Sequence, residues 1–105
     1  MAAYTSDDVP KFTIREGSFI AKLAAKKLGA PNVAIVLGST IYLHNVGALA
    51  FLQNERWVKH ELCHIKQFKQ FGFLPFIAKY LMASFRNGYY YNKYEVEARA
   101  AECSH

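Results

Sequence analysis

The chain has 105 residues, 52% of them hydrophobic and 15% aromatic, and a formal net charge of +5. That length carries one modest hydrophobic core and no shift in composition marks a second, so residues 1–105 are expected to form a single domain. Two cysteines do not make a disulfide framework, and the 13 Lys and Arg are dispersed with no zinc-finger spacing or other nucleic-acid signature, so a disulfide-stapled scaffold and a nucleic-acid partner are not expected.

The first nine residues show no periodicity and are expected to fray. Ser18 then offers an N-cap to a helix whose apolar positions are Phe19, Ile20, Leu23, Ala24 and Leu28, with Gly29 and Pro31 closing it. Val33–Leu37 and Thr40–His44 read as two β-rich runs joined by Gly38-Ser39, the signal for a hairpin. His44 ends the second run, either as a contact to substrate or transition state or as a solvated strand-end residue.

From Asn54 to Phe71 there is no Pro or Gly, and Trp57, Val58, Leu62, Ile65 and Phe68 recur at three- and four-residue steps. This spacing predicts an amphipathic helix capped by Asn54 and stopped by Gly72 and Pro75. Phe71 to Phe85 is the stretch most like a membrane segment, but as a helix it would rise only about 22 Å against roughly 30 Å of hydrocarbon, and Lys79 lies inside it. It is therefore expected to form a core helix packed on its predecessor through Phe76, Ile77, Tyr80, Leu81 and Phe85, with docking to a membrane surface or a partner as the alternative. Asn87-Gly88 turns the chain, and Asn92–Glu102 is a last helical stretch carrying three carboxylates.

Residues 60 to 64 read His60-Glu61-Leu62-Cys63-His64, the H-E-x-x-H spacing. An α-helix advances about 100° per residue, so positions four apart return to within about 40° of each other and both imidazoles can reach one ion. Two neutral imidazoles leave a bound Zn2+ electron-poor enough to acidify a water, and Glu61, one step round, can take its proton. Cys63 falls away from the histidine face and reads as a small buried hydrophobe.

A tetrahedral site needs a third protein ligand. The last helix offers Glu95 and Glu97, about 200° apart round the axis, so both cannot face one ion. Asn92 with Glu95 is also a capping-box-like pair, in which the carboxylate would merely reach back to the backbone. Periodicity leaves that choice even. Tyr89, Tyr90, Tyr91 and Tyr94 cluster beside Glu95; Tyr90 and Tyr91, with His44, are the candidate contacts to substrate or to a developing oxyanion, or else packing residues.

The hairpin, the H-E-x-x-H helix, a second apolar helix and a terminal Glu95-Val96-Glu97-Ala98 element together resemble the minimal gluzincins. These are small zinc metallopeptidase domains related to the ImmA/IrrE-like peptidases, the membrane heat-shock and CAAX-processing metalloproteases and the toxin-associated bacterial metallopeptidase domains. The resemblance implies a small α+β zincin-like fold made of an N-terminal helix, a short β-hairpin, the H-E-x-x-H helix and two further helices. It implies Zn2+ as cofactor, with His60, His64 and Glu95 as ligands, since the first Glu of a Glu-x-x-Ala element supplies the third ligand in those families. It further implies peptide hydrolysis, with Glu61 activating a zinc-bound water, and a strand beside the cleft to which an extended peptide or protein substrate adds. Arg99 stands where several of these families carry Asp or Asn. The alternative is a catalytically silent, zinc-stabilised interaction or regulatory module, and a larger protein partner is compatible with either. With no signal peptide and free thiols expected, the cytoplasm is the default compartment.

Overall fold

A computed structural model of the protein describes residues 10–103; the nine N-terminal residues expected to fray lie outside the described part. The fold is α+β, in the order β1 (Thr13–Arg15), α1 (Phe19–Leu28), β2 (Val33–Leu37), β3 (Thr40–His44), α2 (Ala48–Gln53), α3 (Glu55–Phe71), α4 (Phe73–Asn87) and α5 (Lys93–Ala101). No helix among the described residues is long and apolar enough to cross a membrane.

Local chemistry sets most boundaries. The Ser18 hydroxyl accepts the Ala21 N–H at 3.2 Å and starts α1, and Gly29 ends it in the left-handed region at φ 69°. Gly38, at φ 67°, takes the first position of the two-residue hairpin loop, where a side chain would be strained. Asn54 caps α3 by accepting the Trp57 N–H at 3.1 Å. Gly72 ends α3 and opens α4 in one residue, so the two helices turn against each other without a connecting loop.

Two elements have no counterpart among the sequence expectations. β1 is three residues long, too short for a period to register, and is held by parallel pairing of Ile14 with Ile41 across to β3. α2 is uncharged and nearly all apolar, so it shows no contrast between faces. Its first N–H group is met by Glu16, whose Oε2 accepts from Ala48 at 2.7 Å across 32 positions of sequence. Nothing local announces that cap.

The sheet order is β1-β3-β2, which leaves β2 at the edge. β2 and β3 pair antiparallel, with Ala34 opposite Leu43 and Val36 opposite Ile41. Side chains alternate along a strand, so these residues share one face, and Val36, Ile41 and Leu43 are buried in one core with Phe51 of α2 and Val58, Leu62, Ile65 and Phe68 of α3. α1 packs on β2 and β3, while α3 packs on β2, α4 and α5.

α4 keeps part of its expected contact with α3. Phe76 is buried and Ile77 and Tyr80 are half-buried, but Leu81 and Phe85 are 62% and 87% exposed. The five apolar residues span too wide an arc for one neighbour, so those on the far flank turn outward. The fully buried Asn92 joins α4 to α5: its amide donates to the Tyr80 carbonyl at 3.0 Å and to Ser84 Oγ at 2.7 Å, while its carbonyl oxygen accepts the Tyr94 N–H at 2.8 Å.

Candidate metal centre

Helical repetition puts His60 and His64 side by side on α3, their ring centroids 5.0 Å apart and their planes inclined at 70°. α5 packs across them and brings Glu95 between the two Nε2 atoms. Glu95 Oε1 lies 3.0 Å from His60 Nε2 and 3.2 Å from His64 Nε2. One ligand atom from each of the three residues falls within 4.8 Å of the others. Asn92 caps α5 by itself, so the Glu95 carboxylate is free of the backbone and faces the histidines.

The opposite edge of each ring is held as well. His60 Nδ1 is 2.7 Å from Glu102 Oε2, and His64 Nδ1 is 2.8 Å from Gln67 Oε1. With acceptor oxygens at both Nδ1 atoms, each ring can keep a proton on Nδ1, which directs both Nε2 atoms toward Glu95. Gln67 is fixed in turn, its amide donating to the Tyr94 carbonyl at 3.1 Å and to Glu97 Oε1 at 2.6 Å. Glu97 thus points away from the histidines and steadies one of their supports. Tyr80 completes the cluster by donating its hydroxyl to Glu95 Oε2.

Charge and burial oppose each other here. Burial pulls the His60 pKa down, but its hydrogen bond to Glu95, the nearby Glu61 charge and Glu102 outweigh that and hold it up at about 9. His64 shifts upward as well, against the same burial, through Glu95. Glu95 is the mirror image: burial alone would raise it, and hydrogen bonds from His60 and His64 take it well below the usual carboxylate range. Without metal, the upward shift of both rings favours a proton on the nitrogens that face Glu95. Two imidazole nitrogens and a carboxylate oxygen, each ring steadied at its far nitrogen, form a donor set that could hold a metal ion.

Glu61 is 4% exposed, and burial pushes its pKa to about 7, with His64 and His60 pulling the other way. It lines a cleft of about 470 Å³ together with His60, His64, Glu95, Tyr80 and Tyr89. All of edge strand β2 forms the facing wall, and Phe68, Phe76, Ile77 and Leu81 make much of the remainder. The cleft is thus apolar with one polar end. Cys63 is only half-buried, its sulfur 3.7 Å from the Gln67 amide nitrogen beside the cluster, and its thiol is pushed up to about 11 by burial and the Glu97 charge, which keeps it protonated at neutral pH.

His60, Glu61, His64 and Glu95 come together, and the other three sequence candidates do not join them. His44 pairs with Val33 at the end of β3 and is not among the residues lining the cleft. Tyr90 and Tyr91 are 60% and 71% exposed; the Arg99 guanidinium lies 4.0 Å over the Tyr90 ring, and Tyr91 packs on Tyr90 edge to face. The phenols that reach the site are those of Tyr80 and Tyr89. Arg99 is taken up with Tyr90, and the outer support of the histidines comes from Glu102 and Gln67. Both had a legible signal, since Glu102 is seven residues after Glu95 and Gln67 seven after His60, two helical turns on the same face.

No protein-family model, curated protein or solved structure matches this chain. The functional reading therefore stands on the site's own geometry.

Proposed function

We propose that the protein is a zinc-dependent peptide hydrolase of gluzincin type, with His60, His64 and Glu95 holding the ion and Glu61 acting as general base and acid. The observation that carries this reading is the convergence of two Nε2 atoms and one carboxylate from distant helices, beside a buried Glu61 with a pKa near 7. Zn2+ bound there would supply Lewis acidity, polarising a carbonyl oxygen and acidifying water. Glu61 is poised to take a proton from the attacking water at neutral pH and deliver it to the leaving amine. Tyr80 and Tyr89 have hydroxyl pKa values pushed far up, by burial first and then by the Glu95 charge, so both remain donors. Tyr80 and Tyr89 both stand beside Glu95 on the cleft wall, and either phenol is placed to donate to the developing oxyanion.

A peptide substrate is favoured by the edge position of β2. Every second residue of an edge strand offers its N–H and C=O outward, and here that edge borders the cleft, so an extended chain can add to it with its carbonyls passing Glu61. The two cysteines are free, which suits a reducing compartment such as the cytoplasm.

Glu61→Gln tests the proposal. The variant is expected to keep its fold and bind one zinc per chain, read by mass spectrometry, while peptide turnover falls by about two to four orders of magnitude, the range for loss of a general acid or base. Glu95→Ala should lose the metal itself, whereas Glu97→Ala should retain it. Zinc bound by wild type with no cleavage of a broad peptide library would turn the reading toward a silent zinc-stabilised module.

A further inference from the structure

We propose that the outward face of α4, at the mouth of the cleft, is a docking surface for an anionic phospholipid membrane. Leu74, Ala78, Leu81 and Phe85 fall within about 60° of one another round the helix, on the side away from the buried Phe76 and Ala83. Leu74, Leu81 and Phe85 are 72%, 62% and 87% exposed, and Met82 widens the stripe at 53%. Apolar side chains of this size, contiguous and exposed, form a surface that favours removal from water.

Charge selects the occupant. Lys79 and Arg86 lie two helical turns apart beyond Met82, both exposed; the Lys79 ammonium rests 5.4 Å from the Phe71 ring centroid, and from these positions the long side chains can swing to a headgroup while the stripe enters the acyl boundary. From Leu62 to Tyr94 the chain contains no Asp or Glu. Across the cleft mouth, α1 presents the exposed Lys27 and Leu28, and α1 carries three lysines and no acidic residue. Acidic side chains among the described residues are engaged elsewhere: Glu61 and Glu95 are buried in the site, Glu102 is bonded to His60, Glu97 to Gln67 and Glu16 to α2, and Glu55 is paired with Lys59 on α3. Asp7 and Asp8 lie outside the described residues.

The 4-3-4 spacing of the stripe would also suit a helix of a second copy. Such a pairing would bring two cationic helices together with no carboxylate on α4 to offset them, whereas phosphatidylserine supplies the missing charge. An anionic surface is also a property of the cytoplasmic leaflet. Docking by α4 would hold the mouth between Leu28 and Leu81 against the bilayer, where apolar or membrane-bound peptides are concentrated. The interaction itself does not depend on hydrolysis.

Flotation of the full chain with vesicles tests this, comparing phosphatidylcholine alone with phosphatidylcholine containing about one-third phosphatidylserine. Wild type should float with the anionic vesicles, weaken as salt is raised and stay behind with the neutral ones. Lys79→Glu with Arg86→Glu should weaken partitioning by about thirtyfold or more, as expected of two bases at an anionic surface. Leu74→Ser with Phe85→Ser should weaken it by about tenfold, through loss of apolar insertion. All four positions are exposed, and circular dichroism should show unchanged helix content. Equal binding to both vesicle types, no binding to either, or full binding by both variants would overturn the proposal. So would an equilibrium dimer that Leu74→Ser with Phe85→Ser dissolves in the absence of vesicle binding, since the face would then serve self-association.

Discussion

α3 and α5 meet along a single seam whose two ends are built from opposite materials. Toward the N-terminus of α3 the seam is polar: His60, His64 and Gln67 against Glu95, Glu97 and Glu102. Toward its C-terminus the seam is aromatic, where Phe68 and Phe71 pack with Phe76 of α4 and Tyr94 of α5 at centroid distances of 4.7 to 6.1 Å. The aromatic end gains free energy from area removed from water and tolerates small shifts, whereas the polar end gains only if each group finds its partner. Among the described residues no buried side-chain nitrogen or oxygen lacks a hydrogen bond, so the polar end meets that condition. The lesson is a division of labour: the aromatic end stabilises the seam, and that stability lets the other end hold buried charges in one geometry.

Breaking the aromatic end should produce the largest loss of stability. Phe76→Ala removes a ring that is 2% exposed and touches Phe68, Phe71, Tyr80 and Tyr94, and should cost about 3 to 5 kcal/mol in denaturant unfolding. Where the variant is still folded, its zinc stoichiometry should equal wild type; loss of metal at native helix content would show that the two ends are not separable.

Titration sharpens the contrast, because only the polar end responds to pH. In chelator, His60 is raised from 6.5 to about 9, so its stabilising contribution is complete below 6.5 and lost as pH rises through 9. Glu61, raised from 4.5 to about 7, costs stability once it ionises, which adds to the alkaline decline. Glu95 is lowered from 4.5, so its contribution is complete above 4.5 and lost in acid. Metal-free stability should therefore peak near pH 5 and decline steadily as the pH is raised to 9. Saturating Zn2+ should reverse the slope between pH 5 and 8, since the ion displaces the ring protons. Thermal melts across that range, with and without zinc, decide it; a flat metal-free profile would mean the rings are not bonded to Glu95.

The smallest effects should come from the outer supports. Gln67→Ala and Glu102→Ala leave all three ligands in place but release one ring each, and each should weaken zinc binding by about 10- to 100-fold in competition with a chromophoric chelator. Arg99→Ala should leave that affinity unchanged, because its guanidinium serves the Tyr90 carbonyl and ring instead.

How much of this was legible follows the range of the interactions. Caps at Ser18, Asn54 and Asn92, the turn at Gly38 and the periodicity of α1 and α3 act within a few residues, so the sequence carries them openly. The same locality makes His60, Glu61 and His64 one helical unit before any folding is considered. α2 escaped because its cap comes from Glu16, and Tyr80 because its role needs α4 laid against α5 through Asn92. Leu81 and Phe85 read as core because apolar composition does not say which flank a neighbour will cover.

By itself, then, the sequence determined a chain of capped helices and one hairpin, with two imidazoles and a carboxylate offered on a single helix. Only the tertiary structure decided that Glu95 turns to the rings while Glu97 turns to Gln67, that Glu102 and Gln67 brace the far nitrogens, and that β2 ends at the sheet edge beside them. Those choices join residues about 30 to 40 positions apart. Spacing along the chain governs only neighbours on the same element, and which faces meet is settled by packing.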